Sequence, residues 1–186
     1  MKRAVDLLLF AAASIVLCLP VALVALLVRC TSPGPVLYWS DRVGRNNALF
    51  RMPKFRTMRV DTPEVATHLL ADPARWLTPV GGLLRRSSLD ELPQLWSILA
   101  GHMSFVGPRP ALHNQHDLIA LRTQSGVHRL VPGLTGWAQV NGRDELSIEE
   151  KVRLDAEYLK RQSLAFDIRI LWLTFLQVIR RHGVSH

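Results

Sequence analysis

Cysteine is scarce in this chain, with two residues, Cys18 and Cys30, among 186. Both fall within or beside an apolar N-terminal run. That placement excludes a disulfide framework and fits a reducing setting. No Cys/His spacing resembles a zinc site. Acidic residues are the second shortage: 15 stand against 23 Lys and Arg, for a net charge of +8. The surplus points to an anionic partner: a phosphorylated substrate, a membrane surface or nucleic acid. The cations are scattered between apolar segments and form no long run, which counts against nucleic acid. Internal repeats and low-complexity tracts are absent, so 186 residues read as one domain with a modest core.

What the chain does have is a long apolar beginning. Leu7 to Val28 is broken only by Ser14, Cys18 and Pro20. About 20 helical residues cross a bilayer core. The run is too long for a cleaved signal peptide, and no small-x-small site follows it. Pro20 frees the carbonyl of Val16, so a kink is expected there. Lys2 and Arg3 precede the run and Arg29 follows it, a charge pattern that favours both ends in the cytoplasm. A helix that enters one leaflet and returns satisfies both observations. A tilted span with a proline kink satisfies the first, and the residues alone leave the two open.

The next segments read as short elements. Residues 31–35, TSPGP, break the helix. Val36 to Trp39 predicts a strand, Gly44 to Asn47 a turn, and Leu49 to Phe55 a returning strand interrupted by Pro53. Lys54, Arg56 and Arg59 form a basic cluster able to grip phosphates or lipid headgroups, or to lie as a solvated edge. Asp61 to Trp76 reads as a loop with a short helix, and Ala111 to Thr123 as a helix. His113 and His116 on it are expected at the surface or in packing, not as metal ligands. Pro132 to Arg143, PGLTGWAQVNGR, predicts a glycine-rich loop whose backbone approaches a ligand, with Trp137 stacking or anchoring and Arg143 pairing with phosphate. The last third predicts two helices. Ile148, Val152, Ala156 and Leu159 share a face of the first. Ile168, Leu171, Trp172, Phe175, Leu176 and Ile179 share a broad apolar face of the second, opposed by Arg169, Gln177 and Arg180. Such a basic, Trp-bearing helix suits either a core or a headgroup layer.

The stretch from Arg85 to Pro110 carries the chemistry. Ser88-Leu89-Asp90-Glu91 fits the S-x-x-E capping box, with Ser88 as N-cap and Glu91 as N3. Leu92, Leu95, Trp96 and Leu99 recur at helical spacing and Gly101 sits where the helix should stop. Asp90 is thereby expected ionised at a helix start, followed by a rigid Gly107-Pro108-Arg109-Pro110 corner. An ionised Asp near arginines can attack phosphorus, and a neighbouring Glu can hold a metal or move a proton. Ordinary first-turn acids are the alternative reading of the same spacing.

Four motifs, KFRTM (Lys54 to Met58), SSLDELPQLW (Ser87 to Trp96), MSFVGPRP (Met103 to Pro110) and PGLTGWAQVNGR, resemble in order those of the bacterial sugar transferases, the monotopic phosphoglycosyl transferases. The likeness covers nearly the whole chain, including SLAFDIRIL (Ser163 to Leu171). It implies a mainly α fold with a small β-hairpin. A re-entrant membrane helix (1–30) would precede a cytoplasmic, membrane-interface α/β catalytic domain (31–186) with amphipathic C-terminal helices. It implies transfer of a sugar-1-phosphate from a UDP-sugar to undecaprenyl phosphate, with release of UMP, as a first step of surface glycan or exopolysaccharide assembly. Mg2+ is implied as cofactor, and inner-membrane lipid on the cytoplasmic face as surroundings; no nucleic acid is expected and a homodimer stays open. Only the core unit is expected, without the extra membrane helices of longer relatives. By motif, Asp90 is implied as nucleophile and Glu91 as metal or proton partner, both near Mg2+. Arg85, Arg109 and Arg143, with Lys54 and Arg56, are implied near phosphate or nucleotide. Two departures stand out: Leu19-Pro20 where relatives often carry Ser-Pro, and His102 where they usually carry Asp before Met-Ser.

Overall fold

The computed structural model describes residues 1–63, 72–142 and 145–180. The chain is mainly helical with a small antiparallel hairpin, as the sequence led us to expect. A single helix α1 (Lys2–Thr31) opens it, with Pro20 inside. The hairpin follows: β1 (Leu37–Val43) pairs antiparallel with β2 (Leu49–Phe55). Pro53 does not interrupt β2, because it sits opposite Trp39 in a two-stranded ribbon that leaves an edge for a residue without an N–H. Alternation along β2 sends Phe50, Met52 and Lys54 to one face. Phe50 and Met52 pack there with Ile98 and Met103. Phe55 points the other way, into a cluster with Val24 and Val28 of α1 and Leu84.

Short helical pieces build the middle. These are α2 (Gly81–Arg86), a 3-10 stretch at Leu89–Gln94 that carries the acid pair, and α3 (Leu95–Leu99). Gly101 at φ +84° ends this run in the left-handed region, as its position suggested. The helix predicted from Ala111 begins later: α4 is His116–Gln124, because residues 111–112 bond back to β1.

The segment Pro132 to Gly142 departs most from expectation. Gly133–Thr135 forms β4, which pairs in parallel with β3 (Ser104–Val106), and Trp137–Val140 forms a short helix, α5. Gly133 and Gly136 admit neighbouring backbone. A Cβ on Gly133 would lie 2.0 Å from the Gly107 nitrogen, and one on Gly136 would lie 2.1 Å from the Gly107 oxygen. Trp137 packs on Phe166, with ring centroids 5.0 Å apart.

Helices α6 (Ile148–Arg161) and α7 (Leu164–Arg180) close the fold. Val106, Val127, Leu130, Tyr158, Phe166 and Ile170 make the main core. The apolar surface of α7 is therefore split. Phe166 and Ile170 face the core, while Ile168, Trp172, Phe175 and Val178 are exposed. Gln177 lies on the inner side and donates to the Val140 carbonyl, so it does not oppose the apolar face as expected.

Helix α1 is held at both ends by this same body. Lys2 pairs with Asp167 of α7, and Arg3 donates to the Ile98 and Leu99 carbonyls that end α3. Asp6, 6% exposed, accepts from the Ser104 hydroxyl and the Phe105 N–H. At the other end Val21, Val24, Ala25 and Val28 pack against β2 and α2. Between them Leu7, Leu8, Ile15, Val16 and Leu19 are exposed. By length and composition this helix could cross a membrane.

Candidate active site

The acid pair is set by a strained turn. Ser88 takes φ +56°, ψ +17°, a left-handed conformation that serine adopts at a cost. Its side chain makes no cap, so the expected capping box is absent. Glu91 keeps only a main-chain bond to Ser88, its N–H donating to the Ser88 carbonyl at 3.2 Å. Its carboxylate turns to tertiary partners. Oε1 of Glu91 accepts from Lys54 Nζ at 2.8 Å and from the Arg109 guanidinium at 2.8 Å. Lys54 reaches it because strand alternation aims its stem inward, and Arg109 because the Gly107 to Pro110 corner is fixed by backbone pairing to β4.

The electrostatics follow from this cluster. Burial opposes the Glu91 charge, but Arg109 and Lys54 outweigh it and hold the carboxyl well below its usual range. Burial lowers the Lys54 ammonium, against the pull of Glu91. Asp90 is 8% exposed, and Lys54 and Arg85 both feel its charge. Arg85 is fixed through Nε to the Thr57 hydroxyl at 2.9 Å, and burial lowers its pKa more than Asp90 raises it.

The remaining expectations divide. Arg56 is not brought to the site. Its guanidinium is buried and donates to the Ser32 hydroxyl, the Ser32 and Pro35 carbonyls and the Met58 carbonyl, tying the end of α1 to the hairpin. Arg59 pairs with Asp61 at the surface. Arg143 lies outside the described residues. His102 is exposed with its ring 5.6 Å from that of Phe50, and His113 and His116 are exposed. Pro20 sits within α1, in its exposed middle third.

Sequence reasoning missed two arginines. Arg42 of β1 donates to the Pro110 carbonyl at 3.2 Å and feels both Arg109 and Glu91; burial and Arg109 push its pKa down to about 10. Arg122 of α4 braces the corner from behind, donating to the Arg109 carbonyl at 2.8 Å while paired with buried Asp155. No local motif marks either one, since both owe their role to residues far along the chain.

Lys54, Arg85, Arg109 and Arg42 thus surround two carboxylates, an excess of positive charge suited to a diphosphate. Among the described residues no three His, Cys, Asp or Glu side chains gather into a metal-holding group. Mg2+ needs less from protein when a substrate helps: one or two carboxylates, waters and phosphate oxygens suffice. The dyad fits a metal shared with a diphosphate and does not fit one held by protein alone. Both bonds to Glu91 fall on Oε1.

Comparison with known proteins gives a consistent answer. The family model "Bacterial sugar transferase" matches residues 1–181. The chain is similar to the UDP-glucose:undecaprenyl-phosphate glucose-1-phosphate transferase of Escherichia coli, 39% identical over 182 residues, covering 94% of this chain and 39% of that protein. The undecaprenyl-phosphate galactose phosphotransferase of Salmonella typhimurium is 40% identical over 168 residues, 81% of this chain and 34% of its own length. The protein named "Uncharacterized sugar transferase EpsL" of Bacillus subtilis is 41% identical over 158 residues, 85% of this chain and 77% of its own. The chain thus spans well under half of the first two relatives.

Proposed function

This chain belongs to the bacterial sugar transferase family, and from that premise we propose that it moves a sugar-1-phosphate from a UDP-sugar to undecaprenyl phosphate and releases UMP. The observation that carries the reading is Asp90, buried beside a glutamate that two cations hold ionised. Asp90 attacks the phosphorus that bears the sugar. An Asp90–phosphorus bond forms, the bridging oxygen bond breaks, and its electron pair leaves with UMP. The acceptor phosphate then attacks the same phosphorus and Asp90 is freed, so donor and acceptor use one site in turn.

Neither half-reaction needs a proton to move, because nucleophile and leaving group are both anions. The strongly lowered Glu91 carboxyl supports a role in charge placement over one as general acid or base. Lys54, Arg85 and Arg109 offset the diphosphate charge as it shifts toward UMP. Asp90 and Glu91 are the residues that would hold Mg2+, which would supply further Lewis-acid neutralisation of the developing charge.

The surroundings suit a membrane surface. The middle of α1 is exposed and apolar while both its ends dock on one body, an arrangement that supports a re-entrant helix over a span. The outward residues Ile168, Trp172, Phe175 and Val178 suit the headgroup layer. On this reading the catalytic body lies on the cytoplasmic face of the inner membrane. Cysteine labelling at both ends of α1 tests this, and labelling of the N-terminus from the periplasm would overturn it. The reaction is tested by a UMP-release screen over UDP-sugars with undecaprenyl phosphate and Mg2+. Mass spectrometry of the trapped intermediate should find a phosphosugar on the peptide containing Asp90. A wild-type enzyme that releases UMP without ever carrying that adduct would refute the covalent route.

A further inference from the structure

Arg109 does more than hold Glu91: it also lines a cleft of about 190 Å³. Among the described residues, every charged one lining that cleft is a cation: Arg42, Arg109, Arg122 and Lys151. Arg122 is offset by Asp155 and its bond to the Arg109 carbonyl. Arg42 and Arg109 stand at the end nearest the dyad, since both feel or bond Glu91. Apolar walls, among them Leu112, Leu118 and Ala138, adjoin them, and among the described residues the buried carboxamide of the wall residue Gln139 has no hydrogen-bond partner on either atom.

The shape selects the ligand. Pockets that enclose a whole drug-sized molecule run to ~300–1,000 Å³, so this one takes part of a nucleotide sugar and not all of it. A hexose presents hydroxyls on every side and is gripped by carboxylates as well as amides; among the described residues this cleft offers the amides Gln115 and Gln139 but no carboxylate. A polyprenyl chain needs a trough without cations. A nucleoside monophosphate has a doubly charged end and a flat, amphipathic one. We propose that this cleft receives the UMP portion of the donor, with Arg42 and Arg109 on its phosphate, Lys151 as a third cation, and the apolar wall against the base. This rests on the transferase reading above. The cleft gives the phosphate two guanidinium groups as the bridging bond breaks and negative charge collects on the departing UMP.

The test is a calorimetric titration of UMP onto the full-length protein in lipid nanodiscs, with no donor sugar present. Wild type binds UMP more tightly than uridine or inorganic phosphate. Lys151→Ala and Arg42→Gln each weaken UMP by about tenfold, one charge-assisted hydrogen bond's worth. In turnover the same variants raise the donor KM and the inhibition constant of UMP and leave the acceptor KM within about twofold. Thermal melting checks the fold, and Lys151→Ala serves if Arg42→Gln, which also loses the Pro110 tie, melts early. Wild-type UMP affinity in both variants overturns the assignment, as does a rise confined to the acceptor KM, which would give the cleft to the lipid phosphate. Failure of the transferase reading is separate: wild type would then release no UMP from any UDP-sugar, whatever the titration gives.

Discussion

The chain contains two S-x-x-E segments ahead of helical turns, and they are used in opposite ways. At Ser147 to Glu150 the box closes: the Ser147 hydroxyl accepts from the Glu150 N–H and the Glu150 carboxylate accepts from the Ser147 N–H. At Ser88 to Glu91 it does not close, because Ser88 is left-handed and Glu91 carries Lys54 and Arg109 instead. The first lies in solvent, where the nearest donors are local amides. The second lies under a strand and a rigid corner, where two cations out-compete an amide. A capping pattern is thus a statement about what is nearby in sequence, and tertiary charge can reassign its glutamate.

The contrast can be broken from either side. Asp90→Asn should reduce turnover by roughly 10⁴-fold or more, with membrane association intact, read as UMP release and flotation with vesicles. Glu91→Gln should reduce it by about 10²-fold and raise the Mg2+ concentration for half-maximal rate, since Lys54 and Arg109 lose their shared anion. Glu150→Gln at the other box should leave activity unchanged. Acid should act on the same cluster. Because the folded Glu91 carboxyl lies well below its usual range, its stabilisation is full above about pH 4.3 and is lost as pH falls through the folded value. Melting temperature against pH should therefore drop in that window for wild type and flatten in Glu91→Gln. Ser147→Ala should cost about 1 kcal/mol by denaturant melt, with kcat unchanged. Ser88→Gly, which frees a left-handed residue, should be neutral or stabilising by under about 1 kcal/mol; a large loss of stability would mean the Ser88 side chain is needed after all.

Much of the site was legible because its signals are local. Asp90 and Glu91 stand adjacent, Lys54 follows a strand alternation, and the Gly107 to Pro110 corner announces its own rigidity. The apolar run of α1 needs only counting. What misled was non-local. Arg56 looked available beside Lys54, yet carbonyls from 21 to 24 residues upstream saturate it. Gly133 and Gly136 looked free to approach a ligand because their neighbour, Gly107, belongs to a parallel pairing no local pattern reveals. The apolar residues of α7 looked like one broad face because periodicity cannot say which half the core will take. Arg42 and Arg122 were invisible for the same reason.

The docking of α1 also orders how the protein is made. Lys2 meets Asp167, 165 positions later, and Asp6 meets Ser104, 98 positions later. The apolar helix therefore leaves the ribosome long before its fastenings exist. It must be sheltered, by lipid or by a chaperone, while the rest is synthesised. Docking α1 on α7 closes the longest loop that the hydrogen bonds among the described residues span, and with it the largest entropic cost of closure.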